Sequence, residues 1–187
     1  MGGYKVTFKV IAAAQYEKLN GKREDIIRNS IPVQPNNSTN FELEFSKHED
    51  VTNKIEYQVE GYKIYIYSLI MIVFEKLRAI CQQLEQYQEI IPKFHPRPRA
   101  RDFYDIHLLL NEPELIDIDL NSNDNQELLM RIFEAKKVPI EFMLSVEDSR
   151  EFHRTSWSAV KDTVSATEPL EPFDFYFDFV LERFDLK

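Results

Sequence analysis

A charge inside an apolar stripe is the feature of this sequence most open to chemistry. At about 100° per residue, Leu69, Ile72, Val73, Leu77 and Ile80 define one helical face, and Lys76 falls near its middle. An ammonium taken out of water is costly unless a carboxylate or a phosphate meets it. Two acids are placed to do so. Asp102 and Asp105, in Arg101-Asp102-Phe103-Tyr104-Asp105-Ile106, lie on neighbouring parts of one helix surface. Asp102 reads as the N-cap of that helix. Asp105 sits past the cap, between Leu108 and Leu109 in angle, and needs a cation such as Lys76 or Arg101. Either these groups form an ion pair locking two helices, or they line a pocket for a nucleotide. Glu42 and Glu44 share one strand face, opposite Phe41, Leu43 and Phe45. On an outer face they are ordinary solvated glutamates; lining a cleft, one of them is placed to hold a divalent cation.

The elements that must position these groups follow from periodicity. Tyr4 to Ile11 and Phe41 to Phe45 alternate as strands, as do Lys54 to Val59 and, beyond a turn at Gly61, Tyr62 to Tyr67. Pro32 to Asn40 is a loop. Short connections predict one mostly antiparallel sheet. Ser68 is placed to cap a long helix reaching about Ile90, and a basic loop punctuated by Pro92, Pro96 and Pro98 leads to a helix over Asp102–Leu110. Further helices are predicted near Asn125–Ala135, Pro139–Leu144, Ser149–Val164 and Phe173–Phe184, the last carrying a dense aromatic run that reads as packing core. Strands first and helices after define an α+β class, with a sheet region at 1–67 and a helical region at 68–187.

Composition bounds the rest. With 187 residues, 43% hydrophobic and 13% aromatic, the chain can bury a core. A net charge of -9 makes it a poor generic binder of nucleic-acid backbone, so RNA or nucleotide contact needs a local basic patch, best supplied by Lys93 to Arg101. A single cysteine, Cys81, excludes an intramolecular disulfide and a zinc–thiolate cluster. The four histidines, at 48, 95, 107 and 153, lack metal-ligand spacing. The start is no signal peptide, and the longest apolar run, Leu69 to Phe74, is too short for a bilayer. A soluble, cytoplasmic protein without membrane contact is expected.

Two words of the sequence carry a resemblance. Phe74-Glu75-Lys76-Leu77-Arg78-Ala79-Ile80, followed by Arg99-Ala100-Arg101-Asp102-Phe103-Tyr104-Asp105-Ile106, resembles the paired motifs of the AbiEii/AbiGii nucleotidyltransferases, bacterial abortive-infection and toxin–antitoxin proteins. Phe41-Glu42-Leu43-Glu44-Phe45 is similar to the family strand that supplies a third acid, with Glu44 the better match, and the helical tail resembles the family's C-terminal half. The resemblance implies part of a polymerase-β-like fold, Mg²⁺ and NTP as cofactors, and transfer of NMP to an acceptor such as tRNA. It implies catalytic roles for Glu44, Lys76 and Asp105, a metal contact at Glu44, and nucleotide contacts at Lys76, Arg101 and Asp102. An antitoxin is the implied protein partner.

The family's first motif, a glycine turn followed by Asp-x-Asp or Asp-x-Glu, has no counterpart here. Gly2-Gly3 precedes a strand pattern, and Asp117-Ile118-Asp119 has the letters but follows Asn111-Glu112-Pro113 and lies after the later motifs. The expectation is therefore the distal part of a nucleotidyltransferase toxin, inactive as this chain alone. The alternative is a degenerate, non-catalytic module that binds an antitoxin or RNA.

Overall fold

Alternating residues do make strands here, but as two separate ribbons instead of one sheet. The computed structural model describes residues 2–33, 35–165 and 169–186. Its chain divides into two compact units, residues 1–48 and 49–187. The second and third strands fall on opposite sides of that division.

In the first unit, β1 (Gly3–Phe8) pairs antiparallel with β2 (Phe41–Ser46), and two six-residue helices, α1 (Ala13–Lys18) and α2 (Arg23–Arg28), lie between them in sequence. Residues directly opposite share a face. Tyr4, Val6 and Phe8 thus stand with Phe45, Leu43 and Phe41, while Lys5 and Thr7 stand with Glu44 and Glu42. Every strand residue is exposed. Among the described residues of this unit, only Ser30 is buried.

The second unit opens with a hairpin of β3 (Ile55–Val59) and β4 (Tyr62–Ile66). Its two-residue turn has positive φ at both Glu60 (49°) and Gly61 (84°), the handedness that matches strand twist. Helix α3 (Leu69–Cys81) follows, its first turn capped by Ser68 Oγ, which accepts from the Met71 amide at 3.4 Å. The helix stops at Cys81, not near Ile90. A run of turns then leads to the short α4 (Tyr87–Ile90). This break seats Tyr87, fully buried, with its hydroxyl donating to the Lys136 carbonyl at 2.9 Å.

Helix α5 (Ala100–Leu110) begins two residues earlier than expected, which makes Arg99 its N-cap residue and moves Asp102 into the first turn. After it come α6 (Asn123–Ala135), capped by Ser122, and a 3-10 segment at Ile140–Ser145. The predicted helix over Ser149–Val164 is broken into α7 (Arg150–Arg154) and α8 (Trp157–Lys161), and α9 (Phe173–Arg183) ends the fold. The fold class is α+β. The core is made where α5 packs against α3 and α9, and α6 packs against α3 as well. Phe74, Leu77, Phe103, Ile106, Ile132, Phe173 and Phe177 are buried there, and Phe103 stacks on Phe177 at 4.9 Å between ring centres. Cys81 is buried in the same core, and burial pushes its thiol pKa up.

Candidate functional site

Packing α3 on α5 brings the cation to the acids. Lys76 Nζ donates to Asp105 Oδ2 at 2.7 Å and to Asp102 Oδ1 at 3.0 Å. The three side chains retain 22%, 20% and 7% of their exposure for Lys76, Asp105 and Asp102 respectively. Burial pulls the ammonium toward neutrality. The hydrogen bond to Asp105, the charge of Asp102 and the hydrogen bond to it, and the charge of Asp105 outweigh it, so the lysine pKa ends above its usual value.

Two arginines extend the pair. Arg99 Nε donates to the second oxygen of Asp102. Arg101 Nε donates to Asp105 Oδ1 at 2.7 Å, and its Nη1 reaches Thr163 Oγ1 at 2.8 Å. The Arg101 guanidinium also lies over the Tyr104 ring, 5.2 Å from its centre. The result is a chain of alternating charge, Arg99–Asp102–Lys76–Asp105–Arg101, with three cations against two carboxylates. Arg99 and Arg101 are the exposed ends, at 40% and 47%. This leaves a local positive surplus on a molecule of net charge -9.

Upstream of α5, the loop presents charge in a regular way. Lys93, His95 and Arg97 are exposed, while Phe94, Pro96 and Pro98 are half-buried between them. The Arg97 amide donates to Gln83 Oε1 at 2.8 Å, which ties the loop to the end of α3. In sequence these basic residues lead directly into Arg99 and Arg101.

Glu44 lies in the first unit, whereas Lys76, Arg101, Asp102 and Asp105 lie in the second. Its side chain is 77% exposed and 3.7 Å from Lys5, which pairs more closely with Glu42 at 2.7 Å. Those contacts hold the Lys5 pKa above its usual value, through the Glu42 hydrogen bond first. Asp119 serves a turn: its carboxylate accepts from the Asn121 amide at 2.9 Å.

The fit of Mg²⁺ can be judged from the donors. Asp102 and Asp105 each place both oxygens on cationic side chains. Among the described residues, no group of three or more His, Cys, Asp or Glu side chains converges as a ligand set. These residues do not fit a magnesium ion, which needs several hard oxygen ligands not already committed to cations.

Three participants are not evident from the sequence. Arg99 sits three residues before Asp102, a spacing that does signal a helical ion pair, but the pairing depends on the helix starting at Ala100. Thr163 and His153 come from elements far along the chain. His153 is fully buried, with its ring 5.2 Å from that of Phe103, and its Nδ1 accepts from the Arg99 amide at 3.0 Å. Burial lowers its pKa to about 4, with Asp102 opposing the shift and Arg99 adding to it. Spacing rules for metal ligands have nothing to say about a histidine used this way.

Lys76 thus stands between two aspartates at the α3–α5 seam of an α+β chain. The sequence profile described as nucleotidyl transferase AbiEii toxin, type IV TA system, matches residues 3–179, and the chain belongs to that family of toxin–antitoxin proteins. No match was found among curated proteins or among solved structures. Among the described residues no helix is long and apolar enough to cross a membrane.

Proposed function

We propose that these residues are the nucleotide-handling part of a toxin that transfers NMP from an NTP to an RNA acceptor such as tRNA. The observation that supports it is the positive surplus of the Arg99–Asp102–Lys76–Asp105–Arg101 chain. Two carboxylates hold three cations in fixed places, and phosphate oxygens complete the charge balance. Arg101 and Arg99 have guanidinium N–H groups beyond those given to aspartate, in the planar fork that suits phosphate. Lys76 acts as a point cation against the developing charge, and Asp105 and Asp102 hold it in place. In the transfer, a bond forms between an acceptor hydroxyl oxygen and the α-phosphorus as the bond to the pyrophosphate leaving group breaks, and the hydroxyl proton passes to solvent. The exposed strip of Lys93, His95 and Arg97 is where the acceptor's backbone would lie.

Magnesium belongs to this reading only through family membership. Glu44 is the residue assigned to a metal contact, and it brings one carboxylate. The 187 residues alone are therefore expected to bind NTP without transferring it. An antitoxin is the protein partner such a system carries.

Equilibrium binding of ATP and GTP to the chain, compared with Lys76→Ala and Arg101→Ala, tests the site. Affinity should fall about tenfold or more in each variant, the scale of a lost charge-assisted hydrogen bond. A fusion that supplies a glycine turn and Asp-x-Asp segment upstream, given labelled NTP and tRNA, tests the reaction. Wild-type protein that binds neither nucleotide would defeat the reading. A folded, nucleotide-binding fusion that labels no RNA would favour the alternative, a non-catalytic binding module.

A further inference from the structure

Helix α5 does not cap itself. The side chain of its N-cap residue, Arg99, makes no hydrogen bond to the first-turn amides and turns instead to Asp102. The acceptors come from 54 and 56 residues downstream: the Arg99 amide donates to His153 Nδ1 at 3.0 Å, and the Ala100 amide donates to Ser156 Oγ at 3.1 Å. The Ser156 hydroxyl in turn donates to the His153 carbonyl at 3.2 Å. Both residues sit where α7 gives way to α8.

The histidine's own chemistry says what it is for. Because Nδ1 accepts, the neutral ring carries its hydrogen on Nε2. That Nε2 is buried and has no partner among the described residues. A buried, unpaired N–H is costly. An apolar side chain of similar size would fill the same space against Phe103 and Phe152 without that cost. What the imidazole adds is its acceptor, aimed at the first turn of α5.

We infer that His153 and Ser156 are positioning residues for the phosphate site: they fix the start and phase of α5, and so hold Asp102, and through it Lys76, in register. A slip of one residue at the helix start would rotate the acids by about 100°, enough to separate both from the ammonium. The functional consequence of this inference rests on the nucleotide reading above; the structural part does not.

Amide exchange in the full 187-residue chain reads the cap directly. Amides at a helix start have no carbonyl partner within the helix, so protection at Arg99 and Ala100 reports on His153 and Ser156. In His153→Leu, exchange at Arg99 should quicken about tenfold, the scale of one lost hydrogen bond. The Lys76 15Nζ resonance should shift as well, with the Leu77 amide unchanged. His153→Asn, whose side-chain oxygen stands near the place of Nδ1, should restore both signals. An Asn variant that behaves like Leu, or a Leu variant with an unmoved Lys76 resonance, overturns the inference. If His153→Leu does not fold, Ser156→Ala replaces it. Faster exchange at Ala100 with a shifted Lys76 resonance then supports the inference, and an unmoved one overturns it. Titration with ATP separates the two readings. Wild-type protein that fails to bind ATP, while exchange and the Lys76 signal follow the substitutions, refutes the phosphate site and leaves the positioning role standing.

Discussion

Lys76 serves two carboxylates with one ammonium, so its removal leaves one oxygen of each acid without its cation in a poorly hydrated seam. Breaking such a pair from one side is expensive. Lys76→Ala is expected to destabilise the chain by roughly 2–3 kcal/mol, and Asp105→Asn by less, because Asp102 still accepts from the lysine; urea unfolding checks both. His153 gives a prediction in pH. The unfolded chain takes up its proton near the ordinary histidine value, while the folded chain does so only at about 4. Between those values the unfolded state binds more protons, so stability falls as pH drops through that window and is flat above it. The loss attributable to this residue amounts to roughly 3 kcal/mol, and His153→Asn should remove it from a series of melts between pH 7 and 4. At this scale the sequence was legible where a charge broke an apolar pattern, as at Lys76 and Asp105. It was silent on His153, because an imidazole accepting from a distant backbone amide leaves no local pattern.

At the scale of elements, local chemistry explains the starts better than the ends. Ser68 and Ser122 cap α3 and α6 through the expected hydroxyl-to-amide contacts. The end of α3 carries no glycine or proline to announce it. Past that end the chain turns, and Tyr87 reaches the Lys136 carbonyl at the end of α6, a contact between residues 49 apart. Tyr87→Phe should therefore cost about 1 kcal/mol or more through the lost hydroxyl contacts, measured as a lower melting midpoint with unchanged helical content. The β3–β4 turn behaves differently. Gly61 at φ 84° sits where L side chains are strained, and Glu60 already tolerates φ 49°. Gly61→Ala is expected to destabilise the hairpin by about 1–2 kcal/mol, visible as faster exchange of the Val59 and Tyr62 amides. The glycine marked this turn in the sequence. Which strands would share a ladder was not marked, since alternation fixes faces and leaves pairing open.

Across the whole molecule, apolar burial is distributed unevenly, and that decides which part is self-sufficient. Every buried apolar residue among those described lies between Met71 and Leu186. The ribbon of β1 and β2 exposes Tyr4, Val6, Phe8, Phe41, Leu43 and Phe45, and α1 and α2 bury nothing. A two-stranded ribbon with no buried face is marginal in water, and a unit of residues 1–48 is close to the length below which disulfides, a metal or a partner are usually needed. A protein comprising residues 49–187 should therefore fold alone, with a cooperative thermal transition and dispersed amide resonances. A peptide of residues 1–48 should show neither. The Lys76–Asp102–Asp105 chain lies wholly in the larger unit, so its Lys76 15Nζ resonance should persist in the 49–187 protein at the wild-type position. If that protein is instead unfolded, or the Lys76 signal is lost from it, then the first unit supplies stability that its own burial does not account for, and assigning the site to the second unit alone fails.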